Sequence, residues 1–331
     1  MDMKVAVIGS NSFSGSNFIN FLLKRNYEVL AISRSKEYHD VFLPYKWGTK
    51  SPSNLTFYQM DVNKDLIKIE EKIKLFKPKF IVNFAAQGMV AESWNKPEDW
   101  YQTNVVSQVK LHNNLRQLDF IENYLHFSTP EVYGSTEGWI KESYNFAPNT
   151  PYAASRAACD LHLMTFFRNY NFPVTFTRAA NVFGEGQQLY RIITKTILCG
   201  LLGKKLSLHG GGTSERSFIH IDDVSNATFK VMNKGIAGET YHISTNEKIS
   251  IKDLVWKVFN KLDQNPENFV EDSGERLGKD HSYSLDSSKI RNQLSWDNNI
   301  TLEEGIERTI NWVQLNLDVL KKMPFEYIHK S

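Results

Sequence analysis

Lys4-Val5-Ala6-Val7-Ile8-Gly9-Ser10-Asn11-Ser12-Phe13-Ser14-Gly15 is the stretch that decides the fold. A short apolar run rich in β-branched residues reads as a buried strand, and the small residues after it read as a turn. Residues 16–25 then carry Phe18, Ile19, Phe21, Leu22 and Leu23 at helical spacing. A turn of this kind, between a strand and a helix, brings backbone N–H groups and a helix N-terminus up to a phosphate. Gly9 and Gly15 suit that task, while Ser12 stands where the usual spacing has its middle glycine.

The same alternation continues outward. Residues 28–32, 55–60, 80–84, 123–127 and 174–178 read as strands, and 97–117 and 152–169 as helices. Strands alternating with helices imply βαβ units and a parallel sheet, whose ligands sit at the carboxyl ends of the strands. Those ends carry Ser33-Arg34-Ser35, Asp61-Val62, Ala85-Ala86-Gln87, Ser128-Thr129-Pro130-Glu131 and Asn181. The expected fold is α/β: a Rossmann-type, doubly wound parallel sheet over residues 1–184, with a smaller C-terminal α/β substrate domain over 185–331. The chain is expected to return to the first domain near 224–244. In the second part, 189–202, 222–234, 251–262 and 302–315 read as helices, Gly210-Gly211-Gly212 as a turn, and 266–279 as irregular.

At the end of the second strand, NAD sites usually place a carboxylate for the ribose 2′-hydroxyl, whereas an Arg suits a 2′-phosphate. Ser33-Arg34 contains no acid, which favours NADP over NAD and leaves both open. Asp61 and Val62 would face the adenine.

Composition excludes several classes. The 331 residues are 41% hydrophobic and 23% charged, ordinary for a globular protein of about two domains. Lys plus Arg at 39 nearly balances Asp plus Glu at 37, so no bulk field points to nucleic acid. Cys159 and Cys199 are too few for a disulfide scaffold, and no apolar run is long enough for a signal peptide or membrane span. A soluble, cytoplasmic protein is expected. Cys159 and His162 have metal-like spacing without a second pair, so no metal is expected.

With these pieces in order the chain resembles the extended short-chain dehydrogenase/reductase family, in particular its nucleotide-sugar 4,6-dehydratases of the dTDP-glucose and GDP-mannose kinds. The matching stretches include Asn83-Phe84-Ala85-Ala86-Gln87, Ser93, Thr103-Asn104-Val105, Ser128–Gly134, Pro151–Ser155, Arg178–Gly184, Arg216–Val224 and Arg276-Leu277-Gly278-Lys279-Asp280. The resemblance implies cofactor contacts from Gly9, Ser12, Phe13, Ser14, Gly15, Ser33, Arg34, Asp61, Val62, Ala85, Ala86, Gln87 and Asn104, joined by Tyr152 and Arg156. It implies substrate contacts from Ser93, Ser128, Thr129, Asn181, Arg191, Arg216 and Arg276; the planar guanidinium groups match a diphosphate. It also implies a tightly bound, recycled nicotinamide cofactor and a homodimer formed through helices around 100–118 and 152–169. Two residues depart from the family pattern: Arg156 replaces the Lys of Tyr-x-x-x-Lys, and Pro130 replaces an Asp found in the dTDP-glucose enzymes.

Tyr152 and Arg156, four residues apart on a helix, share one face. A neighbouring cation favours phenolate, so the Tyr152 pKa is expected to fall and the phenolate to accept a hydroxyl proton beside Thr129. Arg156 supplies charge but releases no proton. Glu131 is the candidate base for a carbon acid. Related outcomes are 4-epimerisation, uronate decarboxylation, or cofactor and nucleotide-sugar binding without turnover.

Overall fold

A computed structural model describes residues 3–48, 52–274 and 283–329. Its core is a sheet of β1 (Lys4–Ile8), β2 (Glu28–Ser33), β3 (Leu55–Gln59), β4 (Phe80–Asn83), β5 (Asn123–Phe127), β6 (Val174–Ala179) and β7 (Thr240–Ile243). The order is β7-β6-β5-β4-β1-β2-β3, and every adjacent pair is parallel. The direction of winding reverses between β1 and β4, which opens a crevice at their carboxyl ends.

The helices that bear on the crevice are α1 (Phe13–Leu23), α2 (Leu66–Phe76), α3 (Pro97–Tyr101), α4 (Ser107–Leu115), α5 (Pro151–Tyr170), α6 (Ile192–Leu202), α7 (Ile221–Lys234) and α8 (Ile251–Lys261). Side chains on a strand alternate between its faces, and β1 shows the consequence. Val5 and Val7 join Phe18, Ile19 and Leu22 of α1 and Val224, Ala227 and Val231 of α7. Ala6 and Ile8 join Ile69 and Ile73 of α2, Leu111 and Leu115 of α4, and Leu163 of α5. Burial on both faces is why β1 is continuously apolar from Val5 to Ile8.

Beyond the sheet, α6, α8 and a helix at Leu302–Leu315 build a separate cluster from Ile193, Ile197, Leu254, Val258, Ile306 and Ile310. Two local expectations are corrected. The helix expected over 97–117 is interrupted by a π-helical turn, Gln102–Val106, which turns Asn104 inward to bond the Gln87 backbone. The segment 266–279, expected to be irregular, contains a strand, Val270–Asp272, paired in parallel with Leu206–Leu208. Three residues, two of them exposed acids, give too short an alternation to read as a strand. Among the described residues no helix is long and apolar enough to cross a membrane.

Glu185 ties the second cluster to α7. Its carboxylate lies 2.9 Å from His220 Nε2 and accepts from Arg308 Nε at 2.8 Å. Burial alone would raise this carboxyl, yet the His220 hydrogen bond and the Arg308 guanidinium hold it at about 2, below its ordinary 4.5. A carboxyl depressed by folding contributes stability fully above its unfolded pKa and loses it as pH falls through the folded one. Glu185→Gln should therefore lower the unfolding free energy most near neutral pH. The gap from the unsubstituted protein should narrow from about pH 4.5 towards 2. Chemical denaturation across that range checks the prediction.

Candidate active site

The first loop builds a cradle. A Cβ on Gly9 would lie 2.5 Å from the Ala85 backbone nitrogen, and Gly9 has φ +82°, so only glycine brings β1 this close to β4. Ser12 needs no such freedom: its φ is −67°, and its hydroxyl caps α1 by accepting from the Gly15 N–H at 3.0 Å. That accounts for serine at the expected glycine position. Asn11 donates to the Ser35 and Lys36 carbonyls, tying the cradle to the end of β2. Ser10 Oγ and Asn11 Oδ1 are buried and have no hydrogen-bond partner among the described residues.

At the end of β5, Thr129 caps the 3-10 turn Pro130–Tyr133, its Oγ1 accepting from the Glu131 N–H at 3.3 Å. Pro130 occupies the first position of that turn, where a missing N–H costs nothing and a fixed φ is already suitable. Gly134 closes the turn at φ +68°, pressed against the Ala147 carbonyl. Pro130 is thus a rigid scaffold that sets where Glu131 stands.

Helix α5 starts at a Thr150 cap with Pro151 as its first residue, so Tyr152 emerges in the first turn and Arg156 one turn later. The Tyr152 hydroxyl is hydrogen-bonded with Thr129 and lies within the fields of Arg156, Glu131 and Arg191. The expected fall in the Tyr152 pKa is not what the protein alone gives. Burial of the phenol raises it above its ordinary value, and the Arg156 charge offsets only part of that cost.

Arg156 is 2% exposed. One of its terminal nitrogens donates to the Phe127 carbonyl and to His126 Nε2 at 3.1 Å. Burial and the Arg156 charge drive the His126 pKa well down, so the imidazole is neutral and can accept. Asp160, one turn beyond Arg156, pairs with Arg178 at 2.8 Å and accepts from Ser128 Oγ at 2.7 Å. Two buried guanidinium groups against one buried carboxylate leave the floor positive beneath the phenol. Cys159 and His112 lie against this floor, their donor atoms close to His126 Nδ1 or Nε2. The adjacent guanidinium opposes a metal ion there, and burial pushes the Cys159 thiol up to about 12.

A cleft of about 990 Å³ gathers Ser12, Phe13, Ser14, Arg34, Ala86, Gln87, Ser128, Thr129, Glu131, Tyr152, Arg156, Asn181, Arg191 and Arg216. That is at the top of the range for small-molecule sites, roughly 300–1,000 Å³. Asn181 accepts from the Tyr283 hydroxyl at 2.8 Å, and Arg216 lies over the Tyr283 ring at 4.6 Å.

Other expected ligand residues do not face the cleft. Ser93 is buried and donates to the Val90 carbonyl, and Asn104 is buried and clamps Gln87 and Ser155, so both shape the wall from behind. Asp61 orders its own turn through the Asn63 N–H, and Val62 packs into the core. Ser33, partly buried, passes its carbonyl to the Met60 N–H. Arg276 lies outside the described residues. Sequence reasoning missed His126, Asp160 and Arg178, whose signal was weak: helical spacing from Arg156 for Asp160, and strand position for the other two. It also missed Tyr190, Tyr283 and Tyr327 on the cleft wall.

A model of the family described as GDP-mannose 4,6 dehydratase matches residues 7–309. The chain is 28% identical to dTDP-glucose 4,6-dehydratase of Haemophilus influenzae, over 95% of this chain and 98% of that one. It is also 28% identical to the trifunctional UDP-glucose 4,6-dehydratase/UDP-4-keto-6-deoxy-D-glucose 3,5-epimerase/UDP-4-keto-L-rhamnose-reductase of Arabidopsis thaliana, over 94% of this chain. It spans 47% of the length of that relative. The crystal structure of a dTDP-glucose 4,6-dehydratase from Streptomyces venezuelae, with NAD bound, superposes with a TM-score of 0.89 at 29% identity, over 96% of this chain and 98% of that one.

The electrostatic role of Arg156 is open to direct titration. Arg156→Met should raise the Tyr152 pKa further, since the opposing charge is lost while burial remains. Following 13Cζ-tyrosine resonances with pH, with Tyr152→Phe for assignment, reads this; an unchanged or earlier titration would contradict the coupling.

Proposed function

The chain belongs to the GDP-mannose 4,6 dehydratase family, and on that premise we propose that it is an NAD-dependent nucleotide-sugar 4,6-dehydratase. It would convert a nucleotide-diphosphate hexose to the 4-keto-6-deoxy sugar. The observation that carries the reading is that Glu131 lines the same cleft as the hydrogen-bonded Thr129 and Tyr152. A simple 4-epimerase needs the second pair alone; a carboxylate beside it supplies a base for C5.

The residues fit a dinucleotide. The Gly9 and Gly15 cradle and the capped N-terminus of α1 suit a diphosphate group. Arg34 donates to Gln87 Oε1 at 3.2 Å, which engages the cation read from sequence as a 2′-phosphate ligand. With an NAD-bound relative, this supports NAD, and NADP is not distinguished from it. The nicotinamide, when bound, supplies the acceptor for the C4 hydride and its return to C6.

In this mechanism the Tyr152 oxygen takes the proton of the sugar C4 hydroxyl, and Thr129 Oγ1 holds the same oxygen. Arg156 and the positive floor favour the phenolate that this step needs. Once C4 is a ketone, its neighbour C5 is acidic, and Glu131 removes the C5 proton. Pro130 has no proton to give, so Glu131 delivers the one it took to the departing C6 hydroxyl. Water leaves and a C5–C6 double bond forms; a proton taken up from solvent at C5 and a hydride at C6 then complete the product, and Tyr152 gives the C4 hydroxyl proton back to solvent. Arg191, Arg216 and Asn181, which line the same cleft, would hold the diphosphate. We place a homodimer contact on α3 to α5, where Tyr101, Val106, Leu161 and Tyr170 are exposed.

The test is product mass from a panel of dTDP-, GDP-, UDP- and CDP-hexoses. Loss of one water from a member supports the reading; loss of carbon dioxide, or epimerisation without mass change, would replace it. Glu131→Gln should still reduce the nicotinamide, seen in the near ultraviolet, while water loss falls by about 100-fold or more.

A further inference from the structure

The segment from Met323 to His329 lies on the cleft although no strand end or motif brings it there. Met323 and Phe325 pack on the second hydrophobic cluster, and Glu326 pairs with Lys195 of α6 at 2.7 Å. The chain then crosses towards the sheet side. Tyr327 meets Tyr190 edge to face at 5.5 Å. Its hydroxyl is pushed up to about 12 by burial and by Tyr190, against the Arg34 charge. At the far end His329 stacks on Trp100 of α3, ring centres 5.0 Å apart and 5° from parallel.

The hydrogen bonds of His329 form a directed chain. Arg34 donates to Gln87 Oε1, so the Gln87 amide nitrogen is the donor to His329 Nδ1 at 3.3 Å. His329 Nε2–H then donates to Asp99 Oδ2 at 2.8 Å. Gln87 is 3% exposed, and its backbone is clamped by Asn104 on both sides. This chain joins Arg34, beside the cradle that suits the dinucleotide, to the 323–329 segment, which it anchors at Asp99. Both line the same cleft as Ser12 to Ser14.

We propose that residues 323–329 form a clasp over the dinucleotide site, latched by His329 on Asp99 and Trp100, and that His329 is a positioning residue acting on Gln87 and Arg34. The clasp holds the cofactor in place between turnovers. This rests on the NAD-dependent reading above. A redox-neutral cycle returns the cofactor to its starting state, so release has no part in turnover and a fixed cover costs the cycle nothing.

The experiment measures NAD release directly, by diluting protein loaded with NAD into a trap and following the bound fraction. A chain truncated after Lys322 and the variant His329→Ala should each release NAD at least 10-fold faster. His329→Gln, whose amide can accept from Gln87 and donate to Asp99, should recover part of that loss. If truncation prevents folding, the two substitutions carry the test, with circular dichroism and thermal midpoints confirming that they fold. Release unchanged in a folded His329→Ala would overturn the clasp while leaving the NAD-dependent reading intact. A parent protein that binds no NAD would overturn that reading and the clasp with it.

Discussion

A guanidinium buried between a helix and the end of a strand sets the geometry on which the cleft depends. Arg156 of α5 donates to the Phe127 carbonyl and to neutral His126, both on β5. An uncompensated buried charge costs several kcal/mol, and breaking a buried pair by removing one partner costs on the order of 3–5 kcal/mol. The helix is therefore fixed in rotation and height relative to the strand. Tyr152, one turn earlier on α5, meets Thr129, two residues past Phe127, as a consequence. Asp160 and Arg178 brace the same junction from below.

This anchoring explains how arginine serves where the family pattern has lysine. A lysine would offer one charge on a mobile stem, whereas the planar fork divides its contacts. One nitrogen is spent on the strand. Nε and the other terminal nitrogen are buried and have no partner among the described residues. The charge acts on the phenol in either case, but burial outweighs it in the protein alone. Pro130 is the complementary departure. It removes a side chain that could carry a proton and stiffens the turn that presents Glu131; in the proposed mechanism, proton transfer to the leaving hydroxyl then falls to that one carboxylate.

The sheet was legible because its physics is local. Apolar runs, buried on both faces in all but the edge strand β3 and punctuated by small and polar residues, fix β1 to β6 within a residue or so at each end. The meeting of Thr129, Glu131, Tyr152 and Arg156 in one cleft was legible because strand ends and a helical four-residue spacing bring them to one place. What escaped depends on contacts distant in sequence. The π-helical turn that directs Asn104 inward answers to Gln87 and Ser155, neither adjacent to it. Ser93, a ligand by resemblance, donates its hydroxyl to the carbonyl of Val90, a contact the sequence does not announce. Nothing in Tyr327 or His329 announces a cleft, since their partners Tyr190, Gln87 and Asp99 lie far back in the chain.

The central claim is that one cleft oxidises C4, eliminates water across C5 and C6, and reduces C6 within a single residence of the sugar. Tracing the C4 hydrogen tests it most directly. With an accepted nucleotide hexose deuterated at C4, the account predicts product carrying deuterium in its C6 methyl group and none released to solvent. Deuterium retained at C4, or lost to water, would contradict it.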